Sequence, residues 1–327
     1  MKVLVTGAAG FIGHTVVLEL LKRGDSVIGV DNMNNYYDVS LKEARLARLA
    51  GNKNFVFSRT NIANREAMNT LATAHTDISH IVHLAAQAGV RYSLEHPFAY
   101  VEANIVGQLV ILEICRELRD FKHLVYASSS SVYGGNKKVP FAVEDRTDTP
   151  VSLYAATKRA DELMGHCYSH LFHIPSTGLR FFTVYGPWGR PDMAAYLFTK
   201  AILEDRPIKV FNNGNMQRDF TYIDDIVTGV LACLDHPPKV VVNDDVPHAV
   251  YNIGNNNPEP LMRFIETLET AIGKKAEKKF LPMQAGDVQA TFADISPMQK
   301  NFGFKPTTPI DVGIPKFVNW YRQFHKV

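Results

Sequence analysis

The chain has 327 residues, of which 46% are hydrophobic and 21% are charged, and its formal net charge is +2. This length suggests about two domains of roughly 150 residues each, and a near-neutral chain without a basic block predicts neither a nucleic-acid partner nor a membrane partner. We expect no leader before the opening "MKVLVTG", no apolar run of the ~18 residues that span a bilayer, and a cytoplasmic protein whose three distant cysteines stay unpaired.

The first half of the chain alternates predicted strands with predicted helices. Helical patterns occupy segments such as 10–23 and 100–119. Short β-branched and apolar runs predict buried strands at 2–7, 26–32, 54–61, 80–86, 123–130 and 176–186. Strands that alternate with helices of this length predict an α/β fold, in which a parallel sheet carries helices on both faces.

A glycine-rich loop follows the first predicted strand. In "TGAAGFIG" (6–13), Gly7, Gly10 and Gly13 have the spacing G-x-x-G-x-x-G and open a helix. Glycine there permits a tight turn and close backbone approach to a pyrophosphate, although a glycine triplet alone is weak support because loops collect glycine for steric reasons. Asp31 ends the next strand, where an acid binds the adenosine ribose and repels a 2′-phosphate, so the pattern favours NAD over NADP. The alternative is an aspartate that merely ends a strand.

A tyrosine and a lysine share one face of the predicted helix in "SLYAATKRADEL" (152–163). Tyr154 and Lys158 are four residues apart, so their side chains are neighbours. A bare Y-x-x-x-K is usually a half-exposed aromatic beside a surface lysine. A phenol, however, has a pKa of ~10, and one cation ~4 Å away at an effective dielectric of 20 supplies about the 4 kcal/mol that makes it a base near pH 7.

The composition changes after about residue 186. Loops become longer and richer in Pro, Gly and Asn, with helices predicted at about 194–204, 223–235 and 261–272. We therefore predict a nucleotide-binding domain with the tyrosine–lysine pair in residues 1–186. Residues 187–327 are predicted to be mainly a smaller substrate-binding region, with some segments returning to the main sheet.

Together these motifs resemble the extended short-chain dehydrogenase/reductase family, the NAD-dependent nucleotide-sugar epimerases and dehydratases. The resemblance covers essentially the whole chain in the family's order and rests on "TGAAGFIG", Asp31-Asn32, "HLAAQAGV" (83–90), "ASSSSVYG" (127–134), Tyr154-x-x-x-Lys158 and "QRDFTYIDD" (217–225). Segments 31–46, 85–97 and 179–193 look most like UDP-glucuronate 4-epimerases. The resemblance implies a Rossmann-type, doubly wound parallel sheet that holds NAD and a C-terminal region that holds a UDP-sugar.

The resemblance also implies the residues of the NAD site and the catalytic groups. The implied cofactor contacts are Gly7, Gly10, Phe11, Ile12, Gly13, Asp31, Asn32, Asn61, Ile62, Leu84, Ala85, Ala86, Asn104, Tyr154 and Lys158. Asn61 departs from the family, which usually has an acid there, but an amide can still bond to adenine. The catalytic residues are Tyr154 as base, Lys158 as its tuner and Ser129 as the partner of the reacting hydroxyl. The run of four serines leaves open which of them makes that contact.

The implied contacts of the UDP-sugar come from both halves of the chain. They are Ser129, Ser130, Ser131, Thr183, Arg190, Phe211, Arg218 and Asp287. Arg190 and Arg218 would hold the diphosphate, Phe211 the uracil and Asp287 the ribose, although each has an alternative as an ordinary ion pair or core aromatic. Related decarboxylases and dehydratases carry an acid where Ser130 and Ser131 stand. Hydroxyl groups there, with that of Thr183, could instead restrain a sugar carboxylate.

The leading prediction is NAD-dependent 4-epimerisation of UDP-glucuronate to UDP-galacturonate through a transient 4-keto sugar. The alternatives are a UDP-glucose/UDP-galactose 4-epimerase and a non-catalytic NAD-binding scaffold or sensor. Helices at 100–119 and 153–170 pair across a two-fold axis in this family, which implies a homodimer. His166 and His170 share a helix face, but no carboxylate or thiol completes a metal-ligand pattern, so we predict no metal site.

Overall fold

Strands and helices alternate through the first half of the chain in this computed structural model, which describes residues 1–239, 246–284 and 287–327. The strands are β1 (Lys2–Thr6), β2 (Ser26–Asp31), β3 (Phe55–Arg59), β4 (His80–His83), β5 (His123–Ser129), β6 (Ser176–Phe181), β7 (Thr183–Tyr185), β8 (Ile208–Val210), β9 (Gln217–Tyr222), β10 (His248–Ile253), β11 (Pro258–Pro260) and β12 (Lys278–Phe280). The helices are α1 (Phe11–Lys22), α2 (Val39–Ala47), α3 (Arg65–Ala74), α4 (Tyr92–Glu95), α5 (Pro97–Tyr100), α6 (Gly107–Glu117), α7 (Leu153–Phe172), α8 (Ala194–Leu203), α9 (Ile223–Leu234), α10 (Leu261–Ile272), α11 (Ser296–Phe302) and α12 (Ile310–His325).

The main sheet has seven strands in the order β10-β6-β5-β4-β1-β2-β3. The ladders that join β3, β2, β1, β4 and β5 are parallel. Val3, Leu4 and Val5 of β1 are all fully buried, as expected of a strand covered on both faces. The order reverses between β1 and β4, and doubly wound sheets bind ligands outside the carboxyl ends of the strands at such a point. The predicted Rossmann-type α/β fold is confirmed.

Two compact units divide the described residues. The first contains the described residues of segments 1–134, 146–180 and 227–251, and the second contains those of segments 135–145, 181–226 and 252–327. Strand β10 therefore joins the main sheet although it follows residue 186. The predicted division into an NAD-binding part, 1–186, and a UDP-sugar-binding part, 187–327, concerns binding roles and stays a prediction.

The second unit has two small sheets. In one, β9 pairs in parallel with β7 and antiparallel with β11, and in the other β8 pairs in parallel with β12. Phe220 of β9 stacks on Phe264 of α10 with ring centroids 4.0 Å apart, and α10 also packs on α12. The single strand predicted at 176–186 is in fact β6 and β7, which belong to different sheets and are separated by the one residue Phe182.

A long helical run, Pro97–Glu117, joins α5, a π-helical segment at Val101–Val106, and α6. By length and apolar composition alone this run could cross a membrane, so the expectation that no segment reaches that length is wrong. Half of its most apolar stretch is buried, and α6 packs against α3 and α7 in the first unit. Core helices of soluble proteins pass the same test, so the run is only weak support for a membrane span.

Candidate active site

The glycine loop after β1 is closed too tightly for side chains. Gly7 has a φ of +72°, and the Gly10 amide donates to the Gly7 carbonyl oxygen at 2.8 Å. A Cβ on Gly7 would lie 2.8 Å from the Ala85 nitrogen, and one on Gly13 would lie 2.0 Å from the Gly7 oxygen. The loop leads into α1, whose first N–H groups have no side-chain cap. This backbone cradle fits a dinucleotide pyrophosphate, which binds at a helix N-terminus.

Asp31, at the end of β2, fastens this loop to the segment that follows it. Its carboxylate accepts hydrogen bonds from the amides of Ala9 (3.2 Å) and Met33 (2.8 Å). The Lys42 ammonium, which the sequence reasoning did not select, lies 3.5 Å from the same carboxylate and donates to Asn34 at 3.0 Å. Asp31, which was predicted to bind the adenosine ribose, is therefore held beside the glycine loop. The neighbouring Asn32 is exposed.

Asn61 uses both ends of its amide within the first unit. Its oxygen accepts from the Ala63 amide at 3.1 Å, and its nitrogen donates to Glu102 at 3.0 Å. An adenine contact would have to share these groups. The adjacent Ile62 is buried, and its side chain occupies the space where a Cβ on Gly107 would lie, 2.5 Å from the Ile62 Cδ1. The chain after β4 is tied to β1, because the amides of Leu84 and Ala85 donate to Thr6.

Asn104 lies in the π-helical segment and is almost completely buried. Its side-chain nitrogen donates to the Gln87 carbonyl oxygen (3.1 Å) and to the Thr157 hydroxyl (2.9 Å), and its oxygen accepts from the Gln87 amide (2.8 Å). Both amide hydrogens are therefore occupied by the protein. Asn104 joins the segment after β4 to α7, and π-helical turns of this kind are frequent at functional sites. The sequence did not predict this irregular turn.

Tyr154 and Lys158 lie on α7, which begins where Ser152 accepts a hydrogen bond from the Ala155 amide. Tyr154 is half-buried, and the Tyr100 ring packs edge-on against it at 6.0 Å. The Lys158 side chain is only 4% exposed, which excludes the alternative of a surface lysine. Its ammonium donates to the Ala127 carbonyl oxygen at the end of β5, at 2.9 Å.

Lys158 also has an acidic partner that the sequence reasoning missed. Asp161, one turn further along α7, accepts a hydrogen bond from the Lys158 ammonium at 2.9 Å, and its side chain is 2% exposed. Burial raises the pKa of Asp161 to about 6, against the opposing pull of Lys158. The available signal was the spacing K-x-x-D on one helix face, which on its own is common on exposed helices.

The four serines at the end of β5 and in the turn after it differ in what their hydroxyl groups bind. The Ser128 hydroxyl donates to the buried Glu162 at 2.6 Å, so its proton is engaged. Ser129 accepts from the Ser131 amide at 3.1 Å and keeps its own proton for donation. Ser130 and Ser131 are half-buried in the short 3-10 turn that follows. Ser129 therefore remains a candidate partner of the reacting hydroxyl, whereas Ser128 does not.

The other predicted substrate residues lie in the second unit. Thr183, on β7, and Arg190 line the same small pocket. Arg190 also forms a bidentate ion pair with Asp192, with N–O distances of 2.7 and 3.0 Å. Arg218 donates to Asp287 at 3.0 Å, so the residues predicted for the diphosphate and the ribose contact each other. Phe211 opens the turn Phe211–Gly214. Because both arginines are paired with carboxylates of the protein itself, their contacts with a diphosphate stay predictions, as do the roles of Phe211 and Asp287.

The described ranges contain no cluster of three His, Cys, Asp or Glu side chains arranged to hold a metal ion. Of the two histidines that share a predicted helix face, His166 packs its ring edge-on against His248, with centroids 5.4 Å apart.

Comparison with known proteins places these features in one family. Residues 3–254 match the NAD dependent epimerase/dehydratase family. The chain is 46% identical to the "Probable UDP-glucuronate 4-epimerase" of Rhizobium meliloti, covering 100% of this chain and 98% of that one, and 48% identical to "UDP-glucuronate 4-epimerase 1" of Arabidopsis thaliana, covering 99% and 77%. The structure of UDP-glucuronic acid 4-epimerase from Bacillus cereus, in complex with UDP-glucuronic acid and NAD, matches with a TM-score of 0.90 at 36% identity, over 99% and 100% of the two chains. The chain belongs to the NAD dependent epimerase/dehydratase family.

Proposed function

We propose that this protein interconverts UDP-glucuronate and UDP-galacturonate by NAD-dependent 4-epimerisation. The observation that carries the proposal is the buried Lys158 ammonium on the same helix as Tyr154, in the unit that also holds the glycine cradle. A protein that only binds NAD has no need for a desolvated lysine beside a tyrosine. The names of the relatives supply the substrate class, and the family supplies the cofactor.

The chemistry that NAD supplies when bound is reversible oxidation of the sugar C4, with hydride returned to the opposite face of a 4-keto sugar. Tyr154 removes the proton from the C4 hydroxyl and later returns it to the C4 oxygen. The positive charge of Lys158 stabilises the negative charge that develops on the phenol oxygen during proton transfer. Two of the three ammonium hydrogens are bound by Ala127 and Asp161, which leaves one for the nicotinamide ribose. Ser129 orients the reacting hydroxyl.

The substrate-binding residues account for selectivity toward a uronate. A 4-keto uronate is a β-keto acid and loses CO₂ readily when its carboxylate aligns with the ketone. Hydroxyl groups from Ser130, Ser131 and Thr183 hold the carboxylate out of that alignment, and none of the three is an acid that would promote onward reactions. Arg190, Arg218, Phe211 and Asp287 bind the UDP moiety.

Proton NMR of the purified protein with UDP-glucuronate, without added cofactor, tests the proposal. We expect UDP-galacturonate to form, because a cofactor that is regenerated in every turnover stays bound. Y154F is the matched control and should be inactive. Release of CO₂ with a UDP-pentose product would contradict the assigned role of Ser130 and Ser131. No reaction with UDP-glucuronate and added NAD⁺, but turnover of UDP-glucose, would favour the neutral-sugar epimerase, and no reaction with either would favour the scaffold.

We also propose that the protein is a cytoplasmic homodimer. Apolar side chains are exposed on the run Pro97–Glu117 and on α7. They include Phe98, which is 85% exposed, and Leu163 and Leu171, which are 56% and 58% exposed. Large apolar side chains that recur on adjacent helices are typical of a subunit interface. The cysteines form no disulfide, which suits a reducing compartment.

A further inference from the structure

The Lys158 ammonium is held by a carboxylate that the mechanism above does not use as a reactant. Asp161 and Lys158 are both buried, with side-chain exposures of 2% and 4%, and their Oδ2 and Nζ atoms are 2.9 Å apart. The Ala127 carbonyl oxygen takes a second ammonium hydrogen from the end of β5. The ammonium thus has a fixed position, and its charge is balanced within hydrogen-bonding distance.

The second carboxylate oxygen of Asp161 makes this buried ion pair unfavourable for the stability of the fold. The Oδ1 atom is buried and has no hydrogen-bond partner among the described residues. A buried carboxylate with one unpaired oxygen destabilises a fold, and replacing such an ion pair by apolar residues is often neutral or stabilising. A buried pair with this cost, on the helix that carries Tyr154, therefore points to a role in the reaction and not only in packing.

The neighbouring titratable groups do not compensate the charge of Asp161. On α7, Glu162 is bound to Arg180 of β6, to Arg159 and to the Ser128 hydroxyl. From β4, burial lowers the pKa of His83 to about 3, so this ring is neutral at working pH. From β5, burial raises the pKa of the Tyr126 phenol, which also stays neutral.

We infer that Asp161 is a positioning residue, which anchors Lys158, offsets part of its charge and thereby sets the pH dependence of the reaction. This inference rests on the roles proposed for Tyr154 and Lys158. Seven residues at 1.5 Å per residue place Asp161 about 10 Å from Tyr154 along α7. One negative charge at that distance opposes the development of negative charge on the phenol oxygen.

The substitution D161N tests the charge alone, because asparagine keeps the size of aspartate and an oxygen that accepts from Lys158. We expect the acid limb of the pH profile of kcat, measured with the holoenzyme and UDP-glucuronate, to move about one pH unit lower. The ionisation of Tyr154, followed as the phenolate absorbance that Y154F lacks, should move by the same amount. KM should not change.

Three further variants separate positioning from charge. D161E keeps the charge and should give a profile close to that of the wild type. D161A removes both charge and acceptor, so we expect kcat to fall by up to about 100-fold at every pH, because Lys158 loses its anchor. D77N is the matched control, since Asp77 is an exposed carboxylate that pairs with Lys2 at the opposite, amino edge of the sheet. It should leave both the profile and the rate unchanged.

A D161N enzyme with an unchanged pH profile and unchanged phenolate titration would overturn the inference, provided that the wild type is active and Y154F is not. Activity in Y154F, or none in the wild type, would instead contradict the proposed function. Where D161N does not fold, D161S removes the same charge and keeps a hydroxyl acceptor, so it gives the same decision.

Discussion

Gly13 has no room for a side chain, because a Cβ there would lie 2.0 Å from the Gly7 carbonyl oxygen. We expect G13A to push α1 away from Gly7 and so to distort the backbone cradle for the pyrophosphate. Overpacking of this kind costs about 1–3 kcal/mol, so the affinity for NAD should fall by roughly fivefold or more and less NAD should co-purify. Release of nucleotide on denaturation measures the bound NAD. G24A is the control. Nothing lies within 4 Å of a Cβ at Gly24, so the alanine is disfavoured only by the positive φ of this position. Equal NAD content in the two variants would contradict the prediction.

The proposed contacts of the sugar carboxylate can be tested at single residues. We expect S130A or T183A to raise KM for UDP-glucuronate by about 10- to 150-fold while KM for UDP-glucose stays within about twofold, because a hydrogen bond to a charged group contributes about 1.5–3 kcal/mol. Initial rates with the two sugars measure the ratio. S79A, at the amino end of β4, serves as the control. Equal losses for both sugars would show that these hydroxyl groups do not read the carboxylate.

Residue patterns predicted the groups that carry recognisable chemistry and missed their partners. Spacing alone placed Tyr154 and Lys158 on one helix, and the structure adds that Lys158 is buried. The partner Asp161 could not be selected, because a carboxylate three residues after a lysine is ordinary on a solvated helix and burial is not visible in the spacing. The engagement of Ser128 by Glu162 depends on how α7 packs against β5, which is equally invisible in a run of serines.

At the scale of elements, most predicted strands and helices exist within a few residues of their expected bounds. Long periodic segments such as α10 were predicted at 261–272 and occur there. The two irregular places were missed. A one-residue break at Phe182 separates β6 from β7, and a π-helical turn interrupts the helix predicted at 100–119. Neither changes the hydrophobic pattern, because the interruption lies in the backbone hydrogen bonds and not in the side chains.

The exposed apolar faces of α7 and of Pro97–Glu117 make the oligomeric state testable. We expect the wild type to scatter light as a dimer of the 36.6 kDa chain, and L163E to be a monomer, because a buried charge without a partner opposes association. V56E is the matched control. Val56 is 52% exposed and lies on β3, the edge strand of the main sheet that is far from β5, against which α7 packs. Dissociation by both substitutions, or a monomeric wild type, would contradict the proposed interface.

At the scale of the whole molecule, buried histidines predict sensitivity to acid. Burial lowers the pKa of His14 and His83 to about 3, and that of His123 and His248 to about 4. Between pH 4 and 6 these rings stay neutral in the folded chain but bind protons in the unfolded chain, whose histidines have a pKa of ~6.5. The free energy of unfolding therefore decreases as the pH falls through this window.

Two buried aspartates act in the opposite direction. Burial raises the pKa of Asp161 and Asp219 to about 6, so the folded chain binds these protons before the unfolded chain does. For these four histidines and two aspartates the net difference is about two protons, which predicts a loss of roughly 3 kcal/mol per pH unit between pH 6 and pH 4. Urea unfolding at several pH values measures this slope. H123Q should reduce it by about one proton, because an amide can still bond to Thr177 but does not titrate. An unchanged slope would contradict the assignment.

Because β10 completes the sheet of the first unit, the order in which the chain is synthesised matters. During synthesis β6 emerges about 70 residues before β10, so β6 stays an open sheet edge while segment 181–226 of the second unit is being made. Translation that stops before residue 248 leaves that edge unpaired and exposed to other chains. Truncated products should accordingly aggregate or require a chaperone, and no single cut in the gene separates the two units into independently folding fragments.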